Sequence, residues 1–174
     1  MIERKYQTFW PRLGAGLIDA LLFLPLSLFT EHVINHSDSV VIVITWNLLY
    51  SWGAIAYYVL MHGMRGQTVG KILVKVKVYD TTEIPLSMKQ AVLRDIVPIL
   101  STVMSSFYII LNNEKYYYLV TSQIKDFSLF PKWFFVLLMM SFIWFVLEFI
   151  TMLLNNKRRA LHDYIAGSVV CRIV

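Results

Sequence analysis

The sequence predicts an all-α integral membrane fold of four transmembrane helices with both termini cytoplasmic, on three observations. The 174 residues are 57% hydrophobic and 15% aromatic, with a mean hydropathy of +0.59, values outside the range of soluble globules. Four apolar windows approach the ~20 residues that a helix rising about 1.5 Å per residue needs to cross a bilayer core of about 30 Å. Lysine and arginine gather in alternate segments between those windows, as topology demands of a membrane protein. The whole chain, 1–174, reads as a single membrane domain.

The windows are residues 10–34, 40–61, 88–111 and 133–154. The first is longer than the apolar core of a secretory signal, lacks a small-x-small cleavage site and contains Asp19, so it is expected to be a retained helix. The second carries no charge, and its Asn47 reads as an interhelical hydrogen-bonding residue. The third is weaker: Lys89, Arg94 and Asp95 fall in its first two turns and Pro98 follows, which would kink it or lay it partly in the interface. The central loop contains ILVKVKVYD (72–80), which alternates apolar and polar residues from Val74 to Val78. Alternation of period two argues a short cytoplasmic strand, although a solvated basic loop with valines on lipid head groups fits equally. Residues 158–174, RRALHDYIAGSVVCRIV, have too few apolar positions after Asp163 for a span and read as a short helix or re-entrant piece at the interface.

Orientation follows from counting lysine and arginine. Three lie in the tail up to Arg12, five in the loop 61–89 and four in 155–174, against none in 31–39 and three in 112–132, where Glu114 and Asp126 offset them. The tail, the loop and the C-terminal segment are therefore expected in the cytoplasm. The same distribution explains the net charge of +5 through lipid head groups rather than nucleic acid, which is not an expected partner. A single cysteine, Cys171, excludes an intrachain disulfide and a metal-thiolate site.

Ionisable residues close to the spans carry what functional signal there is, because a charge at mid-bilayer costs at least about 2.5 kcal/mol and usually faces protein or water. Arg12 and Asp19 lie seven residues apart, two turns along one face, with Asp19 about 10 Å deeper. Gly14, Ala15, Gly16 and Ala20 give that face a small surface, so Asp19 is expected to point into a neighbouring helix. Measured from the cytoplasmic ends, Glu148 is about 13 Å deep and Arg94 and Asp95 about 8 to 9 Å. Arg12, Asp19, Arg94, Asp95, Glu148 and Asp163 thus form a candidate cluster of four acids and two arginines. Two carboxylates in a partly dry site raise each other's proton affinity, so Asp19 and Glu148 could hold a proton or small cation between them. An ion-pair network that only fixes helix packing is the other reading.

His32 and His36 have the i, i+4 spacing of a helical metal clamp, with Glu31 and Asp38 nearby, but a third outer histidine is missing and no resident metal or cofactor is expected. Enzyme signatures are absent: the sequence has no G-x-S-x-G, no phosphate-binding loop and no H-E-x-x-H, and GMRGQTVGK (63–71) reads as a turn leaving the membrane.

Three segments together, RLGAGLID (12–19), GQTVGKILVKVKVYD (66–80) and RRALHDYIAGSVV (158–170), resemble the RDD family of prokaryotic membrane proteins. The stretch LSMKQAVLRD (86–95) is also similar to that family. Its name denotes an arginine opening the first helix, an aspartate within it and a later aspartate, which by position are Arg12, Asp19 and Asp163. The chain departs from the family in reading Asp80-Thr81-Thr82-Glu83 where an Asp-Gly turn is frequent, and in its long outer segment 112–132, which could carry a specificity of its own. The resemblance implies a multi-pass plasma-membrane protein with termini inside, and transport, including cation/proton exchange for some members. The expectation is therefore a transporter of a small cation or other small solute, proton-linked, with the lipid bilayer as its surroundings. Four spans are few for a lone transporter, so a homo-oligomer is expected. The alternative is a non-transporting scaffold whose charged cluster is structural; in either case Asp163 should pair with Arg12 or Arg94.

Overall fold

The computed structural model describes residues 3–121 and 132–173; residues 122–131, within the long segment 112–132, lie outside the described residues. A 3-10 turn (Arg4–Tyr6) is followed by α1 (Phe9–His36), α2 (Val40–Arg65), α3 (Val69–Leu73), β1 (Val76–Asp80), α4 (Met88–Arg94), α5 (Ile96–Leu111), α6 (Asn113–Thr121), α7 (Lys132–Leu154), α8 (Leu161–Ala166) and β2 (Ser168–Arg172). Among the described residues, three helices (α1, α2 and α7) are long and apolar enough to cross a membrane, and α4 with α5 makes a fourth span if that bent pair is taken as one. Their exposed leucines, phenylalanines and methionines, such as Leu21, Leu28, Phe142 and Leu154, form the apolar surface that lipid requires. Polar side chains tie the helices to one another within it. Trp46 Nε1 donates to Thr30 Oγ1 at 2.9 Å between α2 and α1, and Trp52 Nε1 donates to Ser106 Oγ at 3.2 Å between α2 and α5.

The third window is not one straight helix. α4 and α5 meet at Asp95 with a bend of 64°. Pro98 lies three residues beyond the break, and in a continuous helix its ring would clash with the carbonyl of Arg94 and leave that carbonyl without a donor. In α5 it occupies the first turn, where no N–H is needed. α4 starts cleanly because Ser87 and Gln90 form a reciprocal capping box.

The end of the bundle that holds α3, α4 and α8 carries a two-stranded antiparallel sheet, in which Val76 pairs with Arg172, Val78 with Val170 and Asp80 with Ser168. The chain is mostly helical with the short strand expected near 74–78, and the C-terminal segment, expected as a short helix or re-entrant piece, is a six-residue helix followed by a second strand that was not expected. Both faces of the sheet are covered. Val76, Val78 and Val170 pack with Leu86 and Ala91, while Val169 and Cys171 pack with Tyr6 and Tyr79. A strand buried on both sides has no reason to alternate, which is why SVVC carries no period-two signal while VKVYD does.

The chain reaches the sheet through Gly66, whose positive φ of 69° ends α2. A Cβ there would lie 2.6 Å from the carbonyl oxygen of Val78. That closeness allows Val78 N–H to donate to Gly66 O at 2.8 Å and sets β1 directly under α2.

Candidate charged site

α3 is held against α1 at a distance only glycine permits: a Cβ on Gly70 would stand 2.1 Å from the carbonyl oxygen of Ala15. One turn further along α1, Asp19 is buried and reaches the start of α3. It accepts from Thr68 Oγ1 at 2.6 Å, from the Gly70 N–H at 2.8 Å and from Tyr57 Oη at 3.3 Å. Thr68 in turn caps α3 by accepting from the Lys71 N–H at 3.3 Å. The aspartate inside the first span therefore serves as a fastener for α3. Its hydrogen-bond partners are on α2 and at the start of α3, whereas depth along the helices points to Glu148.

Asp163 is fully buried, with 0% of its surface exposed. Arg12 Nη1 lies 2.8 Å from its Oδ2, and Arg94 Nη1 donates to its Oδ1. Ser168 Oγ adds a donor at 2.9 Å and the Ala160 N–H another at 2.9 Å. Burial opposes ionisation of this carboxyl, but the two guanidinium groups outweigh it and hold the group well below the usual carboxylate range. Arg12 from α1 and Arg94 from α4 are thus joined through one carboxylate on α8, so the first helix, the broken third span and the C-terminal unit meet at one point.

The remaining members face a cavity of about 560 Å³ between α1, α2, α7 and the α4–α5 break, lined by Arg12, Asp19, Arg94, Asp95 and Glu148 together with His62, Lys71 and His162. Two acid–histidine pairs stand in it. His62 Nδ1 is 3.2 Å from Asp95 Oδ2, and His162 Nδ1 is 2.7 Å from Glu148 Oε2, an ion-pair distance that is poorly aligned for a hydrogen bond. The backbone N–H of His162 also donates to Glu148 Oε1 at 3.2 Å. His162 Nε2 lies 3.0 Å from Arg12 Nη2, an arrangement that makes the imidazole the acceptor. Burial and the neighbouring Arg94 lower the basicity of His162.

The structure therefore brings Arg12, Arg94 and Asp163 into contact and places Asp19, Asp95 and Glu148 around one cavity. Sequence reasoning missed His62, His162 and Lys71. The signal existed for two of them: His162 is the neighbour of Asp163, and His62 directly follows the second window, but neither has a motif spacing. His32 and His36 stack on each other at 4.3 Å, far along α1 from this cavity, and among the described residues no group of three His, Cys, Asp or Glu could hold a metal ion.

The model of the RDD family matches residues 6–167, nearly the full chain and every residue of the site. No curated protein and no solved structure matches.

Proposed function

The chain belongs to the RDD family of membrane proteins, and from that premise we propose that it moves a small cation across the plasma membrane of a prokaryote in exchange for protons, its charged cavity opening on the cytoplasmic side. The observation that carries this reading is the cavity itself. It sets two carboxylates, Asp95 and Glu148, each beside an imidazole, among groups from α1, α2, α7 and α8. Carboxylates that share a partly dry space bind protons and cations in competition, which is the chemistry exchange requires. Asp95 and Glu148 are the carriers. Asp19 and Asp163, with their oxygens occupied by donors from other elements, are the fasteners, and Arg12 and Arg94 are the counter-charges of Asp163. The positive-inside distribution supports the cytoplasmic placement of both termini. Four spans are few for a lone transporter, which supports assembly with a second copy.

One observation favours the scaffold reading: Asp163 and Asp19 each join elements far apart in sequence, as a purely structural network would. Purified protein in liposomes, followed by a pH-sensitive dye under imposed Na⁺ and K⁺ gradients, separates the two. Wild type should move protons against either gradient, and Asp95→Asn and Glu148→Gln should each lose at least about tenfold of that flux while eluting as wild type. Absence of flux from wild type would leave the scaffold reading, and full flux from both variants would keep transport while removing Asp95 and Glu148 as its carriers.

A further inference from the structure

Lys71 is placed in the cavity by an element too short to have any other evident task. α3 has five residues; Thr68 caps it, Gly70 backs onto Ala15, and Asp19 ties it to α1. The result is that Lys71 Nζ stands 2.8 Å from His62 Nε2. An ammonium has no lone pair, so that ring nitrogen accepts, the imidazole proton is on Nδ1, and Nδ1–H donates to Asp95 Oδ2 at 3.2 Å. Amine, imidazole and carboxylate form one hydrogen-bonded line from α3 through α2 to the α4–α5 break.

Charged and titratable groups meet this line from each element around the cavity: Arg12 and Asp19 from α1, Tyr58 from α2, Arg94 and Asp95 from the broken span, Glu148 from α7, and His162 from α8. Asp163 stands directly behind Arg12 and Arg94. With both imidazoles neutral, the three cations Arg12, Lys71 and Arg94 face the four anions Asp19, Asp95, Glu148 and Asp163, which leaves one net negative charge. Arg12 and Arg94 are both fixed by ion pairs with Asp163, and a guanidinium is not a group that gives up protons in proteins. Lys71 is the cation of this set that can lose one.

We propose that Lys71 is a tethered cation whose proton exchanges one for one with a free monovalent cation in this cavity, an assignment that rests on the transport reading above. When the proton passes from the Lys71 nitrogen to cavity water, the cluster goes from one net negative charge to two, and the entering cation restores the one. The neutral amine still donates an N–H to His62 Nε2 and offers its lone pair to the cation. Burial, together with Arg94 and Arg12, lowers the amine to about 7, so both forms are accessible near neutral pH.

The test uses the purified full chain in detergent, weakly buffered near pH 7 with a pH-indicator dye, to which NaCl or KCl is added with choline chloride as the ionic-strength control. Wild type should release about one proton per chain on addition of Na⁺ or K⁺. Lys71→Met and Lys71→Arg should release none; the arginine variant keeps the positive charge but cannot give up its proton, and so remains informative if the methionine variant fails to fold. Wild type needs no variant for a second reading, in which pulse acetylation of Lys71 across pH, followed by mass spectrometry, should show a midpoint near pH 7 that falls as Na⁺ or K⁺ is raised. Proton release undiminished in a variant that elutes as wild type overturns the assignment and leaves transport standing on the carboxylates alone. Release by wild type equal to the choline control, or an acetylation midpoint at the value of an ordinary lysine, also overturns it, and liposome flux then decides the transport reading separately.

Discussion

Asp163, fully buried, receives two guanidinium groups, a hydroxyl and a backbone N–H. Replacing its carboxylate by an amide leaves Arg12 and Arg94 buried beside each other with nothing to offset them. Asp163→Asn should therefore lower the thermal stability of the purified protein by about 3–5 kcal/mol, read by unfolding in detergent. The pH dependence has a definite sign. The folded carboxyl ionises well below its unfolded value of about 4, so its contribution is fully present above pH ~4 and is lost as pH falls through the folded value. Wild-type melting temperature should drop on acidification from pH 5 to pH 3 more than that of Asp163→Asn; equal drops would remove Asp163 as the source. Lys71 has the opposite chemistry and a different window. Its folded value of about 7 lies below that of an exposed lysine, so the unfolded chain binds more protons between about pH 7 and 10 and stability should rise with pH there. Lys71→Met should show a flatter profile over the same range.

At the scale of elements, two joints decide how the site is assembled. Gly70→Ala puts a methyl 2.1 Å from the Ala15 carbonyl, a contact no rotamer can relieve. α3 must move, and the Gly70 N–H bond to Asp19 goes with it. A loss of at least about 1–3 kcal/mol is expected in detergent unfolding, and a variant as stable as wild type would show that α3 is free to shift. Ser87→Ala removes one half of the capping box that starts α4 and should cost about 1 kcal/mol, read in the same way. These elements were unevenly legible in the sequence. The apolar windows, the alternating valines of β1 and the weakness of the third window all announce themselves through length, period and proline. β2 does not, because burial on both faces erases alternation, and α3 does not, because five residues are too few for a helical period to appear. Asp19 was visible as an anomaly, whereas its partners were not: depth along the spans says which groups share a level, but Thr68 and Gly70 lie at the start of α3, between the spans, where depth arithmetic does not apply.

For the whole molecule, Arg12, Arg94 and Asp163 were legible together because each stands near one end of an apolar run and opposite charges in such a place seek each other. The histidines and Lys71 became part of the site only once the fold brought them in. The proposed orientation makes a direct prediction. Ser37, at the turn between α1 and α2, and Thr82, in the turn after β1, lie at opposite ends of the bundle. A cysteine at Thr82 should react with a membrane-impermeant thiol reagent only in inverted vesicles, and one at Ser37 only in intact cells; the reverse pattern would invert the molecule. Cys171, buried in the sheet, gives a low background.

The Asp163 junction also has a consequence in time. During synthesis Arg12 emerges first and Arg94 much later, while their shared carboxylate and the strand that pairs with β1 follow every apolar helix in chain order. Until α7 has entered the lipid, two guanidinium groups and an unpaired strand edge stand without partners, a condition that cellular proteases and chaperones recognise. Closure of α8 and β2 onto them would then serve as the chain's own signal that membrane insertion is complete.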